Sequence, residues 1–287
     1  MTTSEDRNSI YVEARRVLLD ALFALQPHRD AVRIAGAQAI YLRTGESDLA
    51  VAPYTADSDL TLDPYLLAER EPALSAVMES AGFRLATREA GGLEPGIWVV
   101  QAKVNGAEVQ IPVDLIVPSG VSPNAGRRGA RLGLHGNSAA RNIAGLEAVL
   151  VDHSPMTVSA LDPVDSRSVT AEVAGLASLL VAKAHKVQDR VRRGVARRIH
   201  DKDAADVIRI MQTTSAREIG ARFRMFIDDE VAGQPTIDAV RYLQILFGRR
   251  HSEGTEMAAR ALNLAVAADT VGVIATNWVA ALVDDLA

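Results

Sequence analysis

No cysteine occurs among the 287 residues. Disulfides, zinc–thiolate centres and thiol nucleophiles are thereby excluded, and a reducing compartment, the cytoplasm, is the expected home. No export signal is expected either, since the opening MTTSEDRNS is polar and acidic where a signal is basic and then apolar. Unbroken apolar runs are equally scarce. The longest, ALNLAVAADTVGVIATNWVAALV, is interrupted by Asp269 and Asn277. Polar groups in the middle of a spanning segment are costly in lipid, so this run reads as two core helices and no membrane partner is expected. A general positive field is absent as well: 31 Lys and Arg against 36 Asp and Glu leave a net charge of -5. The arginines are nevertheless clustered, in GRRGAR (126–131), RVRRGVARR (190–198) and GRR (248–250). Such patches suit solvated turns and helix ends, and equally suit the guidance of a phosphate-bearing ligand to one face.

What is present is ordinary globular material, 48% apolar and 23% charged, long enough for one large domain or two small ones. IYVEARRVLLDALFAL (10–25) repeats its apolar residues at helical spacing through Val17, Leu18, Ala21, Leu22 and Leu25. AVRIAG is a short strand stopped by Gly36, AQAIYLRTG a short helix closed by Gly45, and SDLTLD a strand. EPALSAVMESAGF reads as a helix with proline in its first turn and Gly82 at its end. IWVVQAKV and AEVQIPVDLIVP flank Asn105-Gly106, the strongest hairpin signal in the chain. Pro112 cannot donate to a ladder, which puts one side of that strand at an edge or a bulge. From about residue 171 onward the segments, beginning with AEVAGLASLLVAKAHKVQDRV, all read as helices. The expected organisation is therefore α+β: a mixed-sheet domain with flanking helices over 1–165, then an all-helical domain over 166–287. SPMTVSALDPVDSRS, rich in proline, serine and aspartate, is the expected boundary. No internal repeat or low-complexity segment is evident.

Three carboxylates stand out. In a strand, residues i and i+2 share a face, so Asp57 and Asp59 at the start of SDLTLD would point the same way. Like charges so placed repel unless a cation lies between them. A third, Asp114, sits inside the apolar run EVQIPVDLIVP, where an unpartnered charge is expensive. Asp63 precedes a proline and reads as a turn or cap residue instead. An all-oxygen donor set of this kind suits magnesium or manganese. Upstream, AGAQA forms a strand-to-helix turn whose backbone N–H groups can hold phosphate oxygens. The simpler alternative is a set of surface acids kept for solubility. Together, turn and carboxylates describe a two-metal arrangement for in-line attack on a nucleoside triphosphate.

IAGAQAIYLRTG, then YTADSDLTL, then IPVDLIVP resembles the nucleotidyltransferase superfamily, whose pattern is a small-residue turn, an Asp-x-Asp and a third acid on an adjacent strand. The resemblance implies metal ligands at Asp57, Asp59 and Asp114, with Gly36 and Ala37 in the phosphate turn. It departs from the family at Ala37, where glycine or serine is usual, so only backbone contacts to phosphate are expected there. In the second half, LLVAKAHKVQDR places Lys183 and Lys186 on one helix face, and HDKDAADVIRIM places Asp203 and Asp206 three apart beside an apolar stripe. By spacing alone these read as a helix-start aspartate and Lys–Asp pairs on a solvated face. The same segments resemble motifs of AbiEii-like nucleotidyltransferases, toxins of type IV abortive-infection systems, in which they face the metal site across a cleft. That resemblance implies that Lys183 or Lys186 neutralises triphosphate charge, and that Asp203 or Asp206 acts as a base or orients the lysine.

The function so implied is transfer of a nucleoside monophosphate from an NTP, with Mg2+ or Mn2+, to an acceptor hydroxyl. For the toxin-like branch the acceptor is RNA, plausibly the 3′ end of tRNA, and a cognate antitoxin is a possible partner. Two alternatives keep the fold. One replaces RNA by a small hydroxylated acceptor such as an aminoglycoside, which the negative net charge favours. The other is a degenerate NTP-binding module, against which the retention of all three aspartates argues. The six histidines share no spacing, and no histidine metal site is expected.

Overall fold

The structure is a computed structural model that describes residues 4–45, 54–122, 128–194, 201–263 and 265–287. Its architecture is α+β and divides into two compact units.

The first unit comprises Met1–Ala39, Pro53–Ile143 and His153–Ala174. It opens with α1 (Ser4–Ala24), whose Val17, Leu18, Ala21 and Leu22 are buried together with Leu25, as the apolar spacing predicts. The strands are β1 (Val32–Ala35), β2 (Ser58–Leu62), β3 (Arg84–Thr87), β4 (Leu93–Val104), β5 (Ala107–Pro118), β6 (Arg141–Ile143), β7 (His153–Ser159) and β8 (Ser168–Ala174). They form one mixed sheet in the order β3-β4-β5-β2-β1-β8-β7, with β6 beside the end of β5. The β4–β5 hairpin turns at Asn105 (φ 50°) and Gly106 (φ 82°), two left-handed residues whose twist matches that of the strands. Pairing of β5 with β2 starts at Val113, so the flank beside Pro112 is open and its missing N–H breaks no ladder there. The three helices that follow α1 are α2 (Gly36–Thr44), α3 (Pro64–Leu67) and α4 (Leu74–Ser80). Asp63 caps α3, accepting from the N–H groups of Tyr65 at 2.9 Å and Leu66 at 3.2 Å. Asp63→Ala should therefore cost about 1 kcal/mol, read as a lower urea midpoint at unchanged slope.

The second unit comprises Ile40–Ala52, Ala144–Asp152 and Gly175–Ala287. Its helices are α5 (Leu176–Arg192), α6 (Lys202–Thr213), α7 (Ala216–Ile227), α8 (Gly233–Phe247), α9 (Glu253–Leu262) and α10 (Ala268–Leu286). Phe223, Leu243, Leu246, Phe247, Val279 and Leu282 build its core, and a Ser215–Glu218 capping box starts α7. The long apolar run, expected as two core helices, gives only Ala261 and Leu262 to α9 and from Ala268 onward lies in the single helix α10; no helix among the described residues is long and apolar enough to cross a membrane.

Two further features differ from the sequence expectation. The segment read as a linker, 155–170, is most of a hairpin: β7 pairs with β8 from His153↔Ala174 to Ser159↔Ser168. The sheet accordingly runs on to Ala174, and the first four residues of AEVAGLASLL complete β8 before α5 starts at Leu176. Their partner is β1, which Glu172 and Val173 meet in parallel register, a pairing too remote in sequence for local periodicity to reveal. The second is that 40–52 and 144–152 belong to the helical unit, so neither unit is a single continuous stretch.

Candidate functional site

β1 ends at Ala35 and α2 begins at Gly36, so the turn between them is as tight as the sequence implies. Gly36 has φ 64°, and a Cβ there would lie 2.0 Å from Oδ2 of Asp59 and 2.8 Å from its Cγ. Only glycine lets the backbone come this close to the carboxylate. The N–H groups of the first turn of α2 have no intrahelical acceptor, and Ala37, which is buried, adds no side-chain donor to them.

The pairing of the strands fixes where the three aspartates project. Asp59 is opposite Ala35 of β1 on one side and opposite Asp114 of β5 on the other. Lateral neighbours in register share a face of the sheet, and Asp57 lies two residues before Asp59, just ahead of β2. The sheet thus makes Asp59 and Asp114 lateral neighbours, with the Gly36 turn against Asp59, while Asp57 lies just ahead of the strand. Their side chains have partners of their own. The buried Thr55 hydroxyl donates to Oδ1 of Asp57, and Arg141 donates to Oδ2 of Asp114 in a charge-assisted bond. Among the described residues no three His, Cys, Asp or Glu side chains are gathered as metal ligands. Asp59 and Asp114, which share a face, offer oxygen donors only, the kind a hard divalent cation prefers. Arg141 is the cation that compensates Asp114 here, which a carboxylate buried in an apolar strand needs.

Arg141 reaches Asp114 because β6 lies parallel to β5, with Ile116 opposite Arg141. That pairing depends on Gly96 of β4 (φ 74°), where a Cβ would come within 2.5 Å of the Arg141 amide nitrogen and 2.6 Å of the Leu115 carbonyl oxygen. Arg141 carries no sequence signal and is defined by tertiary approach, whereas Thr55 reaches Asp57 from two residues upstream.

Compared with family models, curated proteins and solved structures, the chain matches none. The site therefore rests on its own residues.

In the helical unit, α5 and α6 bring the second motif pair together. The Lys183 ammonium donates to Oδ1 of Asp203 and Oδ2 of Asp206, each at 2.6 Å. All three residues are buried, where spacing alone suggests pairs on a solvated face. Asp203 also ion-pairs with Arg190, and Lys186 approaches it at 3.6 Å. Arg190 was legible only as part of an arginine run, although it lies seven residues after Lys183 on the same helix face. Burial alone would lower the pKa of Lys183, but the Asp203 and Asp206 charges outweigh it and hold the ammonium above its usual value. Burial alone would raise the Asp203 carboxyl; Lys183, Lys186 and Arg190 outweigh that and hold it below its usual value. Lys186, with 42% of its side chain exposed, is the cation of this cluster most open to solvent. Of the arginine clusters, residues 126–127 and 195–198 lie outside the described residues.

Proposed function

We propose that this chain is a metal-dependent nucleotidyltransferase. One observation carries the reading: β2 and β5 hold Asp59 and Asp114 as lateral neighbours, with the Gly36 backbone pressed against Asp59. Asp57, Asp59 and Asp114 would hold Mg2+ or Mn2+, which when bound polarises phosphoryl oxygens and offsets the charge that develops on them. For Asp114 to take that part, its carboxylate must turn away from Arg141. The chain's own groups account for the rest. The Gly36–Ala37 turn presents backbone N–H groups to phosphate. The Asp114 carboxylate accepts the proton of the acceptor hydroxyl, whose oxygen bonds to the α-phosphorus as the bond to the β-phosphate breaks and pyrophosphate leaves. In the helical unit, Asp203 and Asp206 orient Lys183, and Lys186 keeps a partly exposed ammonium.

The acceptor proposed is RNA, plausibly the 3′ end of tRNA, in the manner of a toxin restrained by an antitoxin. The exposed Arg192 and Arg193 at the end of α5 suit contacts to a phosphate backbone. Calorimetry tests the first requirement. ATP, CTP, GTP and UTP are titrated with and without Mg2+. Metal-dependent heat with at least one NTP, lost in Asp57→Ala, is the expected result. No metal-dependent heat with any of the four, or heat unchanged in the variant, would end the nucleotidyltransferase reading.

A further inference from the structure

Two buried histidines of the sheet unit play no part in that reaction. His28, in the turn Gln26–Ala31, and His135, in the turn Gly133–His135, meet edge to face with ring centroids 5.3 Å apart. Both grip the connection between α3 and α4, whose residues 68–72 are exposed. Nε2 of His28 lies 2.7 Å from the Pro72 carbonyl oxygen, and Nε2 of His135 lies 3.1 Å from that of Ala68. A carbonyl oxygen only accepts, so each Nε2 carries a proton. The backbone N–H of Leu74 donates to Nδ1 of His135 at 3.2 Å, so that nitrogen carries none. Nδ1 of His28 is buried and has no hydrogen-bond partner among the described residues. Neither ring therefore has a place for a second proton, and both are neutral in the folded chain.

We propose that this histidine pair is a pH-sensitive clip, which holds the α3–α4 connection at neutral pH and releases it on acidification. A second proton on His135 would turn Nδ1 into a donor facing the Leu74 N–H, and one on His28 would be buried without an acceptor. Two imidazoliums at this spacing would also repel. The rings gain hydration for their charge by leaving for water, and the backbone groups of Ala68, Pro72 and Leu74 are then freed together. The charged neighbours do not reverse this balance. Arg70 of the connection opposes a charge on His28 and is itself paired with Asp30 at 3.1 Å, which Arg29 also approaches. Glu69 favours a charge on His135, but burial outweighs it and holds both rings below the usual histidine value. The clip's contribution is complete above that value, 6.5, and is lost as pH falls through the lower, folded one.

The clip is tested on the full chain by NMR, which reads the titration of both rings and the protection factor of the Leu74 amide, a quantity already corrected for the intrinsic effect of pH on exchange. Between about pH 7.5 and about pH 5, Leu74 should lose about tenfold or more in protection, as linkage to proton uptake over at least one pH unit requires. The amides of β5 should keep theirs. In His28→Gln combined with His135→Asn, whose amides do not titrate yet retain a donor for Pro72 and an acceptor for Leu74, the loss should vanish. Protection of Leu74 unchanged over this range in the wild type, an equal loss in the double variant, or a loss shared equally by β5 overturns the proposal. So do charged rings with Leu74 still protected. Should the double variant fail to fold, the wild-type titration and protection decide alone.

Discussion

Gly36→Ala is expected to lower the proposed nucleotidyl transfer about a hundredfold or more, the cost of displacing a reacting group by about an ångström. The added Cβ would lie 2.0 Å from Oδ2 of Asp59, so backbone or carboxylate has to move. The strain is compounded by φ 64°, a left-handed conformation that costs a non-glycine residue about 1–2 kcal/mol. Stability should fall by roughly that amount while the far-ultraviolet spectrum is kept, because the strands on either side are untouched. Transfer of label from NTP to RNA measures the first quantity and urea unfolding the second. Wild-type transfer by this variant would mean that Asp59 and the turn do not act together.

Lys183→Met should destabilise the chain by about 3–5 kcal/mol, the cost of breaking a buried ion pair from one side. Asp203 keeps Arg190 and the nearby Lys186, whereas Asp206 loses the ammonium held at 2.6 Å. Adding Asp206→Asn removes the orphaned charge and should restore part of the loss, a rescue that a purely steric role for Lys183 would not show. The pH dependence follows from the directions of the shifts. The Asp203 carboxyl is held below its usual 3.8, so its contribution is complete above that pH and is lost as pH falls through the lower, folded value. The Lys183 ammonium is held above its usual 10.5, so its contribution is complete below that pH and is lost as pH rises through the higher, folded value. Between those limits the cluster's contribution should be flat. Stability of the wild type measured at pH 5, 7 and 9 should carry no slope from it, and loss of the cluster's contribution near neutral pH would disprove the ion-paired arrangement.

Local chemistry was legible in the sequence wherever local forces decide. Asn105-Gly106 announced the β4–β5 hairpin because a primed turn needs two left-handed residues. Asp63 was recognisable as a cap because Pro64 opens the helix behind it. The Asp57–Asp59 spacing and the apolar setting of Asp114 marked the carboxylates, but only the parallel pairing of β2 with β5 makes Asp59 and Asp114 neighbours. Long-range pairing also hid the β7–β8 hairpin. β7 is an edge strand with exposed residues and an internal proline, so its composition imitates a linker. Arg141 and the meeting of His28 with His135 at 5.3 Å arise from tertiary approach that no spacing encodes. In the helical half, the i, i+3 pairs of lysine and aspartate were visible, but their burial was not. It depends on how α5 packs on α6.

The register of β2 against β5 has a consequence for how this chain can change over generations. Asp59 and Asp114 share a face only while the two strands keep their alignment. A substitution at a neighbouring position leaves that alignment intact. A single inserted or deleted residue within 58–62 or 113–116 would turn one carboxylate to the opposite side of the sheet. Lineages carrying this chain should therefore accumulate residue replacements along these strands while length changes fall in the loops outside them.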